Sequence, residues 1–477
     1  MNKETRILEI KNVIDRSDKN DLLKHEIMWE NKLQTMNVYN VPLNCLIYNK
    51  YNGRILSRTT SLEKQRHFIN AEKKEDARII EQLLWDSNVN RNKRTLKSLR
   101  ESGQQKVGII TKDGVIIDGN RRARLLNEID RNGYFKAIIL PVTLEENPLE
   151  IEKLETTYQM GADEKLGYNP IEKYLKAKQL YNRLISGKSL DDPDTKKETI
   201  KSISQWMSET ESQVEEYLDI VEVMDEYLLH WNYDGMYTQL DEREDQFISL
   251  NKWISTFKGG ESKKAFDGYS NTDVDDLKII AFDYLRFRPK YDGKEFRYLG
   301  HGHSDRHFFG NQKIWQSFSE KHFSIIESLP DEEDISYDSP DLNSYLNSRN
   351  NIFYESSKFG KNESSFIENL NEHKQMLGNS QAANEPEKLI NRALQTFDAI
   401  NKNHNSFSKP EVQKRVRELS ESIFNSMTEK SPLSTVEHVV ELLQSIDIEN
   451  LKDEELERFK SNCKEIQRIC YRLNKEI

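Results

Sequence analysis

The stretch VIIDGNRRARLLNEI, residues 115–129, carries the residue types best suited to chemistry in this chain. A β-branched run ends at Asp118-Gly119, and Arg121, Arg122 and Arg124 follow around Asn120 and Ala123. Planar guanidinium forks match phosphate oxygens in pairs. A glycine ahead of them lets a ligand approach the backbone. A helix starting there offers unpaired N–H groups and the positive end of its dipole. The chemistry implied is the holding of an anion, phosphate above all. Asp118 is the one acid beside the arginines, and its structural role is to cap the turn or the helix.

The elements that must position these groups are legible around them. VGIIT and VIID are short β-branched runs joined by KDG, the signature of a hairpin. RRARLLNEI then sets Leu125, Leu126 and Ile129 on one helical face, so the order is strand, glycine turn, helix. Upstream, LKSLRESG reads as a helix that stops at Gly103. Earlier still, VPLNCLIYNKYNGRI (41–55) is an apolar strand-like run reaching Arg54. Downstream come FKAIILPVTL, a buried strand, and YNPIEKYLKAKQLYNRLI, a helix with Pro170 in its first turn. Residues 91–124 hold ten lysines and arginines against Glu101, Asp113 and Asp118, a basic island in an acidic protein.

The chain as a whole has 477 residues and a formal net charge of −11, with 36% hydrophobic and 32% charged residues. That length implies several domains, and that composition a largely helical, folded protein. An overall negative charge confines any anion-binding surface to a local patch. Cys45, Cys463 and Cys470 make neither a metal-ligand cluster nor an even disulfide framework. The N-terminus is too charged for a signal peptide, and no apolar run approaches membrane-spanning length. A cytoplasmic protein without membrane contact is expected.

Taken in order, these landmarks resemble the ParB/sulfiredoxin superfamily over roughly residues 38–230. NKYNGR keeps Asn49 and Arg54 of the family's Asn-Pro-x-Gln-Pro-Arg. GQQKVGII follows the Gly-x-x-Gln-Pro box in outline, with Gly103 retained and Lys106-Val107 where Gln-Pro stands. GNRRARL matches the phosphate box Gly-Glu-Arg-Arg-x-Arg-Ala at Gly119, Arg121, Arg122 and Arg124, and Asn169-Pro170-Ile171-Glu172 matches the later helix start. A basic, helical insertion lies between the first two boxes, at about 56–95. The resemblance implies a small mixed-sheet domain, α+β in class, followed by a mostly helical remainder. It implies a nucleoside triphosphate, CTP or ATP, held by Gly119, Asn120, Arg121, Arg122 and Arg124 with Asp118, Arg54 and Lys106 nearby, and Mg²⁺ as its companion ion.

The sequence also departs from the family. Aligned on Gln159, Thr156 and Thr157 stand in place of the Glu-Asn of the metal and triphosphate motif, and Met160 in place of its arginine. Asp163 and Glu164 read first as solvated loop acids, and are the substitute acids at hand. No cysteine lies in the loop, which excludes sulfiredoxin chemistry. KSISQWMSETESQVEEYLDIVEVMDEYL has the shape of the family's helix-turn-helix, with Ile203, Trp206 and Met207 packing one helix and Val214, Tyr217 and Leu218 the other. Residues 209–226 hold eight acids and no base, so this helix would be repelled from a DNA groove and reads as a packing or docking unit.

Beyond residue 230, His301, His303 and His307 form a loose histidine group with three readings: metal ligands, incidental loop residues, or, with Arg297 and Arg306, a basic lip over the nucleotide site. Residues 331–385 are polar and turn-rich and read as a linker, and 386–477 as a helical bundle. The expected organisation is 1–37 helical extension, 38–165 sheet domain, 166–230 helical domain, 231–330 mostly helical middle, then linker and bundle.

Three classes of function fit. The first is a ParB-like nucleotide switch in DNA-associated machinery such as plasmid maintenance or anti-phage defence, with slow NTP hydrolysis compatible. It would touch DNA through the 91–124 patch and a protein partner or second copy through its helices. The second is a metal-dependent nuclease, which needs a carboxylate cluster that the sequence does not place beside Asp118. The third is a non-catalytic protein–protein adaptor.

Overall fold

The computed structural model describes residues 1–18, 20–65, 68–161, 169–188, 193–287, 294–336, 339, 341–358, 364–383, 385–426, 432–446, 448 and 455–476. The chain is α+β, with one five-stranded sheet near the N-terminus and helices after it. Residues Met1–Glu385 form one compact unit and Pro386–Ile477 a second.

The sheet contains β1 (Lys24–Trp29), β2 (Lys32–Pro42), β3 (Gly108–Ile110), β4 (Ile116–Asp118) and β5 (Tyr134–Ile139), in the order β1-β2-β5-β3-β4. β3 and β5 run parallel and the other pairs antiparallel, so the sheet is mixed. Alternation along the strands sends neighbours to opposite faces. Ile110, Ile116 and Ala137 join Val41, Phe135 and Ala123 on one face, against α1 (Lys3–Arg16) and α5 (Asn120–Ile129). Ile109, Ile117 and Ile138 join Val38, Ile151 and Leu154 on the other, against α6 (Pro148–Thr156). The β3–β4 hairpin and the glycine turn into α5 form as their residue pattern predicts.

Between β2 and β3 lie α2 (Leu56–Lys64), α3 (Lys74–Asp86) and α4 (Val89–Ser102). α4 ends at Gly103, whose positive φ of 68° is a conformation that glycine makes easy. It packs on α5 through Leu96, Leu99 and Leu125. Then come α7 (Pro170–Ile185), α8 (Pro193–Met207) and α9 (Glu211–His230), with α8 and α9 joined by a turn at Ser208 and packed through Ile203, Met207 and Val214.

Three expectations need correction. The 1–37 segment is not only a helical extension, because β1 and the first half of β2 belong to the sheet. The 331–385 segment is not a linker: α13 (Leu342–Ser356) and α14 (Ser365–Gln381) put Leu342, Leu346, Phe366 and Leu370 into the largest core. That core also takes in α2, α7, α9, α10 (Glu244–Phe257), α11 (Asn271–Arg286) and α12 (Gln312–Ser328), so no boundary separates 166–230 from 231–330. In the second unit, α15 (Pro386–Asp398), α16 (Pro410–Ser426), α17 (Pro432–Gln444) and α18 (Leu456–Glu476) are helical as expected, yet none of its described residues is buried. Among the described residues it is a set of amphipathic helices without a closed core.

Candidate functional site

Gly119 caps α5 with φ 101° and ψ 17°, a left-handed conformation, and a Cβ there would stand 2.7 Å from the ring of buried Phe135. Glycine is therefore required by backbone and by packing. The α5 N-terminus that follows lies beside the loop after β2, which carries Asn49, Asn52 and Arg54.

Asn120 makes that junction. Its side-chain oxygen accepts from the Asn49 amide at 2.9 Å and its side-chain nitrogen donates to the Ile116 carbonyl at 3.0 Å. Asn120 is buried, so it holds the site together from below and does not present a face to a ligand. Within the loop, Asn49 Oδ1 accepts from the Tyr51 amide and Asn52 Oδ1 from the Arg54 amide, fixing the turn that delivers Arg54.

Arg121 is the centre of the arrangement. It is largely buried, one nitrogen lies 3.5 Å from Thr95 Oγ1 on α4, and its buried Nε has no hydrogen-bond partner. Burial, followed by the charges of Arg54, Arg91 and Arg122, lowers its guanidinium from 12.5 to about 10. It is still cationic at neutral pH. Four guanidiniums thus converge from the loop after β2, from α4 and from α5, and the largest influences on Arg121 include no carboxylate. A desolvated guanidinium with a buried, unbonded Nε is chemically suited to an anion.

The other arginines divide by task. Arg122 donates to the carbonyls of Lys106 and Val107 at 2.5 and 3.1 Å and pairs with Asp118 at 2.8 Å. It ties the segment entering β3 to the α5 N-terminus, with Lys106 engaged through its backbone. Arg124 turns to another face, where it pairs with Glu128 and lies 4.4 Å from the centre of the Trp85 ring. The sequence grouped Arg124 with the phosphate ligands; its contacts are those of a brace between α5 and α3.

A second layer sits under the Arg54 loop and was not foreseen. Glu155, near the end of α6, accepts from Asn52 Nδ2 at 3.2 Å and from Gln159 Nε2 at 3.1 Å. Burial pushes its carboxyl from 4.5 up to about 7, against the pull of Lys176. Lys176 on α7 pairs with Glu152 at 3.1 Å and lies 3.8 Å from Glu155. The position aligned with the family glutamate is buried Thr156, but the acid that meets the loop stands one residue earlier. A π-helical turn over Thr157–Gly161 follows, a local change of helical phase that a simple alignment does not register. From the Asn-Pro-Ile-Glu box, Asn169 caps α7 and Glu172 accepts from the Ser57 amide at 2.8 Å and its hydroxyl at 2.5 Å, holding the start of α2.

The described acids do not fit a Mg²⁺ centre. Asp118 is paired with Arg122, and Glu152 and Glu155 face Lys176. Asp163 and Glu164 lie outside the described residues. The three histidines do not converge either: His307 is buried against the Lys264 and Leu299 backbones and lowered to about 4, whereas His301 and His303 are exposed. Among the described residues, no group of three or more His, Cys, Asp or Glu could hold a metal. Nor is any described helix long and apolar enough to cross a membrane.

The chain matches no protein-family model, no curated protein and no solved structure.

Proposed function

We propose that this protein is a ParB-like nucleotide-binding switch that holds the phosphates of CTP or ATP at the Gly119 turn. Arg121 and Arg54 contact the phosphate oxygens, with Arg91 at the rim and the first-turn amides of α5 beneath. Such amides have no carbonyl of their own helix to bond. The observation that carries the reading is the buried, unpartnered Nε of Arg121 among three other guanidiniums. A phosphate relieves both the repulsion and the lost hydrogen bond.

The switch reading adds that ligand contact is felt by the helices. Arg54 belongs to a loop held by Glu155, Glu155 faces Lys176, and Lys176 sits on α7, which packs on α9. DNA contact is assigned to the exposed basic face of α4, Lys93, Arg94, Lys97 and Arg100, beside the arginine cluster. Cytoplasmic, DNA-associated work such as plasmid maintenance or anti-phage defence follows from the ParB resemblance alone. No hydrolytic step is assigned, because no described acid fits the metal. The nuclease reading has the least support for the same reason.

The test is thermal unfolding with CTP, ATP, GTP, UTP and pyrophosphate. A ligand at a hundredfold its Kd stabilises the folded state by about 2.7 kcal/mol. One nucleotide should raise the midpoint of the wild type and leave Arg121→Ala unmoved. No shift with any of them refutes the reading.

A further inference from the structure

Arg286, the last residue of α11, is fully buried, yet the acid that meets it comes from no helix or strand. Its guanidinium lies between the rings of Trp231, 4.0 Å away, and Phe353, 4.2 Å away. Asn350 Oδ1 accepts from its Nε at 2.8 Å and from the Tyr233 hydroxyl at 2.6 Å. These groups hold the fork from behind and leave its two terminal nitrogens to an occupant. Arg349 on α13 brings a second guanidinium to the same place. Trp231 Nε1, in the wall, is buried without a hydrogen-bond partner.

Glu332 is the occupant. It accepts from both terminal nitrogens of Arg286, at 3.0 and 2.6 Å, and stands 3.3 Å from Arg349. It belongs to the irregular segment 329–336 between α12 and α13, where Asp331, Glu333 and Asp334 are exposed and Leu329 and Ile335 pack on the core. Buried Lys176 shows the contrast, since Glu152 and Glu155 reach it from a single helix, α6. Here a coil with four acids in a row delivers one of them to a paired fork. That is the geometry by which arginine clusters recognise acidic motifs.

We propose that Arg286 and Arg349 form a receptor for an acidic peptide segment of a partner protein, and that residues 331–334 occupy it as an autoinhibitory strap. A tethered occupant acts at an effective concentration of about millimolar, so a partner segment must compete with it. Loss of the Glu332 charge opens the receptor.

The full-length chain supplies the test, by fluorescence anisotropy with a labelled peptide of the strap sequence SLPDEEDIS, residues 328–336. Glu332→Gln should bind it at least about tenfold more tightly than the wild type. Adding Arg349→Ala to that variant should remove the gain, and the amidated peptide SLPNQQNIS should not bind. A second measurement needs no substitution. The strap peptide with benzoylphenylalanine in place of its first isoleucine, at millimolar concentration, should cross-link on irradiation to α11 or α13 of the wild type. A folded Glu332→Gln that binds no better than the wild type overturns the proposal, as does a gain that survives Arg349→Ala. Cross-links that are absent, or confined to the basic face of α4, overturn it whether or not the variants fold.

Discussion

Asn120 holds Asn49: the first residue of α5 accepts the amide hydrogen of the loop after β2 at 2.9 Å, and the same side chain donates to Ile116 on β4 at 3.0 Å. One buried amide therefore joins the loop that carries Arg54 to the helix start that carries Arg121. Asn120→Ala leaves the Asn49 N–H and the Ile116 carbonyl without this partner and should destabilise the protein by about 1–3 kcal/mol. Urea unfolding measures the loss, and an unchanged midpoint would show that the contact is dispensable.

Arg121 and Arg124 should separate cleanly. Arg121→Ala removes an arginine that is desolvated and repelled by its neighbours, so it should leave the free protein as stable as the wild type or more so, while removing ligand binding. Arg124→Ala should keep binding and lose about 0.5–1 kcal/mol through the Trp85 stack. Paired melts and binding curves check this. Equal loss of binding in both would return Arg124 to the site.

Much of this was legible in the sequence. The strand, glycine turn and helix around Gly119 follow from a β-branched run, a glycine and an apolar face, all local signals. The N-terminal hairpin was not, because Glu30-Asn31 turns with φ 50° and 60°, conformations for which glutamate is an unusual choice. α13 was hidden among serines and asparagines, since its core contacts rest on a few residues such as Leu342, Leu346 and Phe353. Glu155 was hidden differently, as its burial under the Asn52 loop joins residues a hundred positions apart. Arg124 carried the right residue type, but its direction is set by Trp85 on another helix.

Gly119→Ala should be far more damaging than an ordinary glycine substitution. The residue sits at φ 101°, and its new methyl would overlap Phe135, which is fully buried and cannot withdraw. A loss of about 2–4 kcal/mol is expected. Circular dichroism melts would show it; a drop under half of the lower figure would mean that the turn can relax.

Glu155 and Glu172 give the pH dependence a definite sign. Burial raises both from 4.5 to about 7, so the folded state binds their protons more tightly than the unfolded chain. Their contribution is full below about pH 4.5 and is lost as pH rises through about 7. Glu155→Gln, which stays neutral, should gain stability relative to wild type between pH 5 and 8, on the order of 2 kcal/mol at the upper end. A wild-type-minus-variant difference that is flat with pH would contradict this. His307 acts in the opposite direction: held neutral down to about 4, it loses its contribution as pH falls from 6.5.

Arg121 and Arg54, with Arg91 at the rim, are proposed to take the phosphates of a nucleotide beside Gly119. Calorimetric titration of CTP, ATP, GTP and UTP, with and without Mg²⁺, into wild type, Arg121→Ala and Arg124→Ala tests it most directly. Wild type and Arg124→Ala should bind CTP or ATP saturably, and Arg121→Ala should bind at least about a hundredfold more weakly. Absence of heat with every nucleotide in folded wild-type protein, or binding indifferent to Arg121→Ala, would contradict it.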